Sequence, residues 1–169
     1  MTSVFPGRYT AHTGEPFVIF LIGMRINRLL AVRKWWPVFQ AMAPMISTLI
    51  RHPEKGFLGG MTTIGWRGPV MIQYWRSFED LENFARRPSD PHLPAWKRFN
   101  QAVGNDGSVG IWHETYLVQP GQFESVYGNM PRFGLARATE HRPVDGRRSA
   151  ARARLQVKAA KVYQDQEVV

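Results

Sequence analysis

The chain contains no cysteine, which excludes disulfides, thiolate nucleophiles, thiolate metal sites and a cysteine axial ligand to haem. Long hydrophobic runs are missing as well. The apolar stretches Phe17 to Met24 and Trp35 to Ile50 fall short of the roughly 20 residues a spanning helix needs, and Pro37 and Pro44 interrupt the second. No transmembrane segment is expected, and a membrane-surface role is the minor alternative. The opening residues lack a basic start, an apolar stretch and a small-residue cleavage site, so the chain reads as cytoplasmic. Phosphate-binding glycine loops, paired-histidine zinc motifs, calcium loops and nucleophile elbows are all absent. Gly59-Gly60 reads as a bulge in a strand.

Acidic residues are few, giving a net charge of +9, but the excess is unevenly placed. Residues 132–169 carry nine Lys/Arg against four Asp/Glu. The basic character therefore lies largely in a tail, and no specific nucleic-acid partner is expected. Apolar residues make up 44% of the chain and aromatics 12%, with six Trp. That is core material, and 169 residues accommodate one domain and a tail.

The segment Pro16 to Asn27 is near-continuously apolar and reads as a strand covered on both faces. From Ala31 to His52 the spacing lengthens to that of a helix, with Trp35, Val38, Phe39, Met42, Met45, Ile46, Leu49 and Ile50 in a stripe facing the sheet. Pro44 predicts a kink or break there. Gly56 to Ile64 and Pro69 to Trp75 read as a hairpin turned at Gly65-Trp66-Arg67-Gly68. Ser77 is a good N-cap, and Asp80 three residues on completes a variant capping box. Helices follow from Phe78 to about Arg87 and from Leu93 to Val103, then a strand from Ser108 to Val118.

Strand, helix, strand, strand, helix, strand is the ferredoxin-like βαββαβ order of an α+β fold. Helices on one face leave the other bare, and a first strand apolar on both sides demands a cover. A second copy of the sheet is the economical one, so a homodimer forming a dimeric α+β barrel is expected. Residues 1–141 are assigned to this domain, including a C-terminal arm after Pro120 that wraps the domain or its partner. Residues 142–169 are assigned to a basic, weakly ordered tail.

Three stretches carry candidate chemistry. In Trp112-His113-Glu114-Thr115-Tyr116, alternation places Trp112, Glu114 and Tyr116 on one face and His113 on the other. His113 is a candidate base or metal ligand in a setting expected to be buried, with Glu114 and Tyr116 as catalytic candidates. His92 and Trp96, four apart at a helix start, share a face that borders a pocket. Arg25 at the end of one strand is placed to hold a carboxylate such as a haem propionate, and Tyr74 ends another. Trp112, Tyr74 and, from the arm, Tyr127 and Asn129 are candidate substrate-pocket residues. Each of these has a plain alternative as a core or solvated side chain.

The stretches LIGMRIN, QYWRSFEDLENFAR, HLPAWKRFN, VGIWHETY and FESVYGNMP together resemble the DUF4188 group of small bacterial and fungal proteins, labelled monooxygenase-family or phenylacetaldoxime-dehydratase-like, from Gly7 to Ala138. The resemblance implies a dimeric α+β barrel related in shape to antibiotic-biosynthesis and haem-degrading monooxygenases, chlorite dismutases and aldoxime dehydratases. Several of these bind haem through a histidine, so the resemblance implies either haem, held in that way, or no cofactor. In the haem-degrading branch that residue lies on or near the second helix, where this chain offers His92. The WHETY stretch offers His113, the favoured haem-iron ligand.

The leading expectation is a haem-dependent or oxygen-using small-molecule enzyme, either a monooxygenase or aldoxime-dehydratase-like. The alternatives are a cofactor-independent monooxygenase and a non-catalytic ligand-binding protein.

Overall fold

The structure, a computed structural model, describes residues 3–146 and 149–155. Four strands form the main sheet in the order β3-β4-β2-β5, all antiparallel: β2 (Phe17–Ile26), β3 (Phe57–Gly65), β4 (Gly68–Trp75) and β5 (Val109–Val118). One face carries α1 (Val32–Arg51), α2 (Phe78–Arg86) and α3 (His92–Ala102). The architecture is ferredoxin-like α+β, and each of these elements lies within a residue or so of its expected span.

Alternation along β2 divides the core in two. Val18 packs towards the helices with Leu49, Trp75, Leu81 and Phe84, and Met24 does so with Val103, Val109 and Phe99. Phe17 faces the other way, into a cluster with Ala11, Tyr74, Leu135 and Ala136. Ser77 caps α2 as expected, its hydroxyl accepting from the Asp80 amide at 3.1 Å. The Asp80 carboxylate instead takes Arg76, whose Nε donates at 2.8 Å, so the reciprocal half of the capping box is replaced by an ion pair. A register shift between Phe57 and Gly59 makes the expected bulge.

Some expectations are corrected. Of the kink or break expected at Pro44 the break does not occur: α1 runs 20 residues through both prolines, with its apolar stripe on the sheet. Ile50, assigned to that stripe, is exposed, which leaves Leu49 as its buried member. The opening residues, given no element, form β1 (Phe5–His12), the centre of a second sheet ordered β6-β1-β7 with β6 (Tyr127–Met130) and β7 (Glu140–Pro143). The arm therefore wraps its own domain. A short helix, α4 (Leu135–Ala138), joins it over one end of the main sheet's bare face.

β7 carries paired backbone to Pro143, past the expected boundary at His141. Another short helix, α5 (Ala151–Arg154), is anchored through the Arg154 guanidinium to the Glu124 carboxylate. The rest of the expected tail, residues 147–148 and 156–169, lies outside the described residues.

Candidate functional site

α1 and α3 do not close on the sheet along their whole length. Between them and the Ile22–Met24 segment of β2 opens a cavity of about 650 Å3. Its walls are mostly apolar, from Met24, Val38, Met45, Phe99 and Ile111, with Lys34 and Arg98 supplying cations. Volume and lining match a small-molecule site. Pro37 and Pro44 both line it. Lacking amide hydrogens, they leave the carbonyls of Arg33 and Gln40 without their usual donor one turn on. Lys34 is held by the Asp106 carboxylate, and that pairing pulls Asp106 well below the usual carboxylate range.

His92 is the histidine of this cavity among the described residues. It is half-buried, and its Nδ1 lies 3.0 Å from the Ala85 carbonyl oxygen. A carbonyl only accepts, so Nδ1 carries the proton and Nε2 keeps the lone pair. His92 also borders a second, 40 Å3 void reaching towards Met71, Gln73 and Trp75. Gln73 is buried there, its Oε1 accepting from Trp75 Nε1 at 2.9 Å. Trp96 lines the main cavity one turn from His92, stacked on Phe99 with ring centroids 5.5 Å apart.

The remaining candidates lie elsewhere. The buried setting expected for His113 is corrected: β5 is an edge strand, and the run Trp112 to Leu117 is exposed. His113 faces the helix side with its ring 5.5 Å from Phe20, outside the cavity lining. Trp112, Glu114 and Tyr116 share the opposite face, where Tyr116 donates to Glu114 at 2.5 Å. That bond raises the tyrosine's pKa. Arg25 is on the same face, its Nε donating to Asn27 at 3.2 Å. Tyr74 is buried between the two sheets beside Tyr127, and burial pushes its phenol up. The Tyr127 oxygen accepts from the Ala136 amide at 3.3 Å. Asn129, at a positive φ of 52°, accepts from the Gly7 amide at 2.9 Å and ties β6 to β1.

The expected set thus separates into a cavity pair, an open-face group and an inter-sheet pair, with His113 apart on the helix side and Asn129 between β1 and β6. The cavity's Lys34, Gln40 and Arg98 were not anticipated, since polar positions on a helix look alike whether they border solvent or a cavity.

A ferredoxin-like sheet with one helical layer, and an apolar cavity between sheet and helices, defines the class as ferredoxin-like α+β. The chain belongs to the monooxygenase af470-like family, whose model matches residues 17–135. It is 29% identical over 142 residues to monooxygenase af470 of Aspergillus fumigatus, a match covering 76% of this chain and 50% of that protein. The chain therefore spans about half the length of this curated relative. Among solved structures, an aldoxime dehydratase in complex with butyraldoxime superposes with a TM-score of 0.66 at 14% identity, over 78% of this chain and 40% of that one. The cofactor-independent oxygenase SnoaB from Streptomyces nogalater gives 0.43 at 14% identity, over 61% and 93%. At such identity the dehydratase likeness is one of fold alone.

Proposed function

We propose that this chain is an oxygen-using enzyme acting on an apolar small molecule in the cavity between α1, α3 and β2, with His92 as the proton acceptor. The observation that carries this reading is the Ala85 carbonyl on Nδ1 of His92, which leaves Nε2 as the nitrogen available to a bound molecule. Membership of a family named for a monooxygenase supports it.

A substrate methylene acidified by conjugation gives a proton to Nε2. The resulting carbanion is electron-rich enough to reduce dioxygen, and the C–O bond forms at that carbon. Loss of water then leaves a carbonyl, so the methylene and O2 become C=O and H2O, with every electron supplied by the substrate. His92 holds the proton in transit and returns it to the departing oxygen. The void beyond His92 has room for a diatomic gas.

The same nitrogen favours a second reading. A ligating imidazole is commonly oriented by a carbonyl on its other nitrogen, as His92 is. Its donor chemistry fits haem, with Arg98 lining the cavity to meet a carboxylate, while Lys34 is held by Asp106. Bound there, haem would supply redox chemistry at its iron. Exposed His113 and opposite-face Arg25 do not border this cavity.

Oxygen uptake with activated phenolic or polycyclic substrates, alongside a haem titration followed by the Soret band, tests both readings. Uptake by colourless protein, abolished in His92→Ala, supports the first. Saturable haem binding lost in His92→Ala and kept in His113→Ala supports the second. No uptake in either form overturns the oxygenase reading.

The exposed β5 edge of the sheet's open face, with Trp112, Glu114 and Tyr116, is proposed to pack on a second copy of the chain. The double-length relative has room for two such units in one polypeptide.

A further inference from the structure

Where β2 leaves the sheet, the chain exposes apolar side chains that its core does not use. Leu30 is 97% exposed, Trp66 78% and Ile64 71%, and Leu29, Val32 and Trp36 are exposed beside them. They come from two segments, the β2–α1 connection with the first turns of α1, and the tip of the β3–β4 hairpin. These are tied together: the Ile26 amide donates to the Arg67 carbonyl at 2.7 Å, and Arg67 Nη1 donates to the Ile26 carbonyl at 3.2 Å. Val32 and Trp36, one turn apart, share a helix face. Singly scattered apolar residues need no explanation, but a contiguous group at one end of a molecule marks an interaction surface.

The charge around this group indicates the partner. Residues 25–36 and 64–68 contain Arg25, Arg28, Arg33, Lys34 and Arg67 and no acidic residue. Lys34 is taken by Asp106, Arg67 is stacked on Trp66, and Arg25 is bonded to Asn27. Arg28 and Arg33 have no carboxylate partner among the described residues. The first turn of α1 has no capping side chain and no acidic residue. Arg33 and Lys34 therefore stand against the positive end of the helix dipole, an arrangement that an anionic surface would relieve. Exposed leucines, an interfacial tryptophan and unpaired arginines are what a bilayer interface selects, with apolar side chains entering the acyl boundary and guanidinium groups meeting phosphates.

We propose that this end of the molecule docks peripherally on an anionic lipid bilayer. Among the described residues no helix is long and apolar enough to cross a membrane, and the attachment proposed is by the tip. Met24, Lys34 and Pro37 line the cavity and adjoin the tip, which would place the cavity beside molecules dissolved in the bilayer. That consequence rests on the oxygenase reading. The docking does not.

The test is sedimentation of the full chain with vesicles of phosphatidylcholine alone or mixed with phosphatidylglycerol. Binding is expected on the mixed vesicles and should weaken with salt. Arg28→Gln and Arg33→Gln should each lower partitioning about fivefold, the worth of one cation near an anionic surface. Leu29→Ser with Leu30→Ser should lower it more than about tenfold, with an unchanged thermal melt because both side chains are exposed. Absence of vesicle binding overturns the proposal. So does binding that survives the leucine variant, which would assign it to the basic C-terminal segment. A shift of oligomeric state in that variant would make the tip a contact between copies, and this too overturns the proposal.

Discussion

His92 at the start of α3 is bonded to Ala85 in the last turn of α2, its Nδ1 3.0 Å from the carbonyl oxygen. The backbone of one helix thereby sets the tautomer of a side chain on the next. If His92 accepts the substrate proton, His92→Ala should lower kcat/KM for oxygen uptake by about a hundredfold or more. His92→Gln keeps a donor for the Ala85 carbonyl and should leave the thermal melt near wild type without restoring uptake. A His92→Gln variant with full turnover would show that the imidazole has no proton to move.

Below this bond, Lys55 and Asp90 form an ion pair at 2.6 Å with side chains only 15% and 5% exposed. It joins the turn before β3 to the link between α2 and α3, and so fixes the approach to His92. Removing one partner leaves the other buried and unpaired, which costs about 3–5 kcal/mol. Asp90→Ala should lose that much in urea unfolding. Lys55→Met with Asp90→Leu, which buries no charge, should recover most of it.

Much of the main sheet was legible because its signals are local. The run from Phe17, the helical spacing from Trp35 and the paired turn glycines at Gly65 and Gly68 each fix an element without distant partners. β1 was not legible. Its opening Phe5-Pro6-Gly7-Arg8 has no two-residue alternation, and its partners are far along the chain, with Phe5 opposite Met130 and Ala11 opposite His141. In the site, the four-residue spacing of His92 and Trp96 was readable as a shared face. Alternation grouped Trp112, Glu114 and Tyr116 correctly, yet it cannot report whether an edge strand is covered. For that reason His113 was expected to be buried.

His141 on β7 gives a pH dependence. Its ring stacks on Tyr9 with centroids 4.3 Å apart and lies edge-on to Phe5 at 4.8 Å. Its Nε2 is shut from solvent without a hydrogen-bond partner among the described residues. Burial, then the nearby Arg132, lower its pKa below the ordinary 6.5. The unfolded chain therefore binds this proton more readily than the folded one, and stability rises with pH across the window. The contribution is complete above about 6.5 and lost as pH falls through the depressed folded value. His141→Phe should flatten this part of the stability profile, measured as urea midpoints between pH 5 and 7.5. An unchanged slope would place the acid sensitivity elsewhere.

The open face of the sheet gives the last expectation. The second sheet and α4 cover the end around Phe17 and Tyr74, while on the edge strand β5 Tyr116, in the same row as Tyr74, and Trp112, further along, stay 49% and 37% exposed. Trp112 lies across Gly23, where a Cβ would come within 2.7 Å of its indole nitrogen. The absent side chain thus lets the ring lie flat on the sheet and present a level surface. Aromatic side chains held flat at the centre of a patch are the usual anchors of an interface. If a second copy packs here, Trp112→Ala and Tyr116→Arg should each raise the dimer dissociation constant at least about tenfold in sedimentation velocity. The monomer should keep its helical signal, because neither side chain belongs to the core. Gly23→Ala should act in the same direction by displacing the Trp112 ring. A wild-type chain that sediments as a monomer at micromolar concentration would leave the open face to another partner and remove the shared barrel.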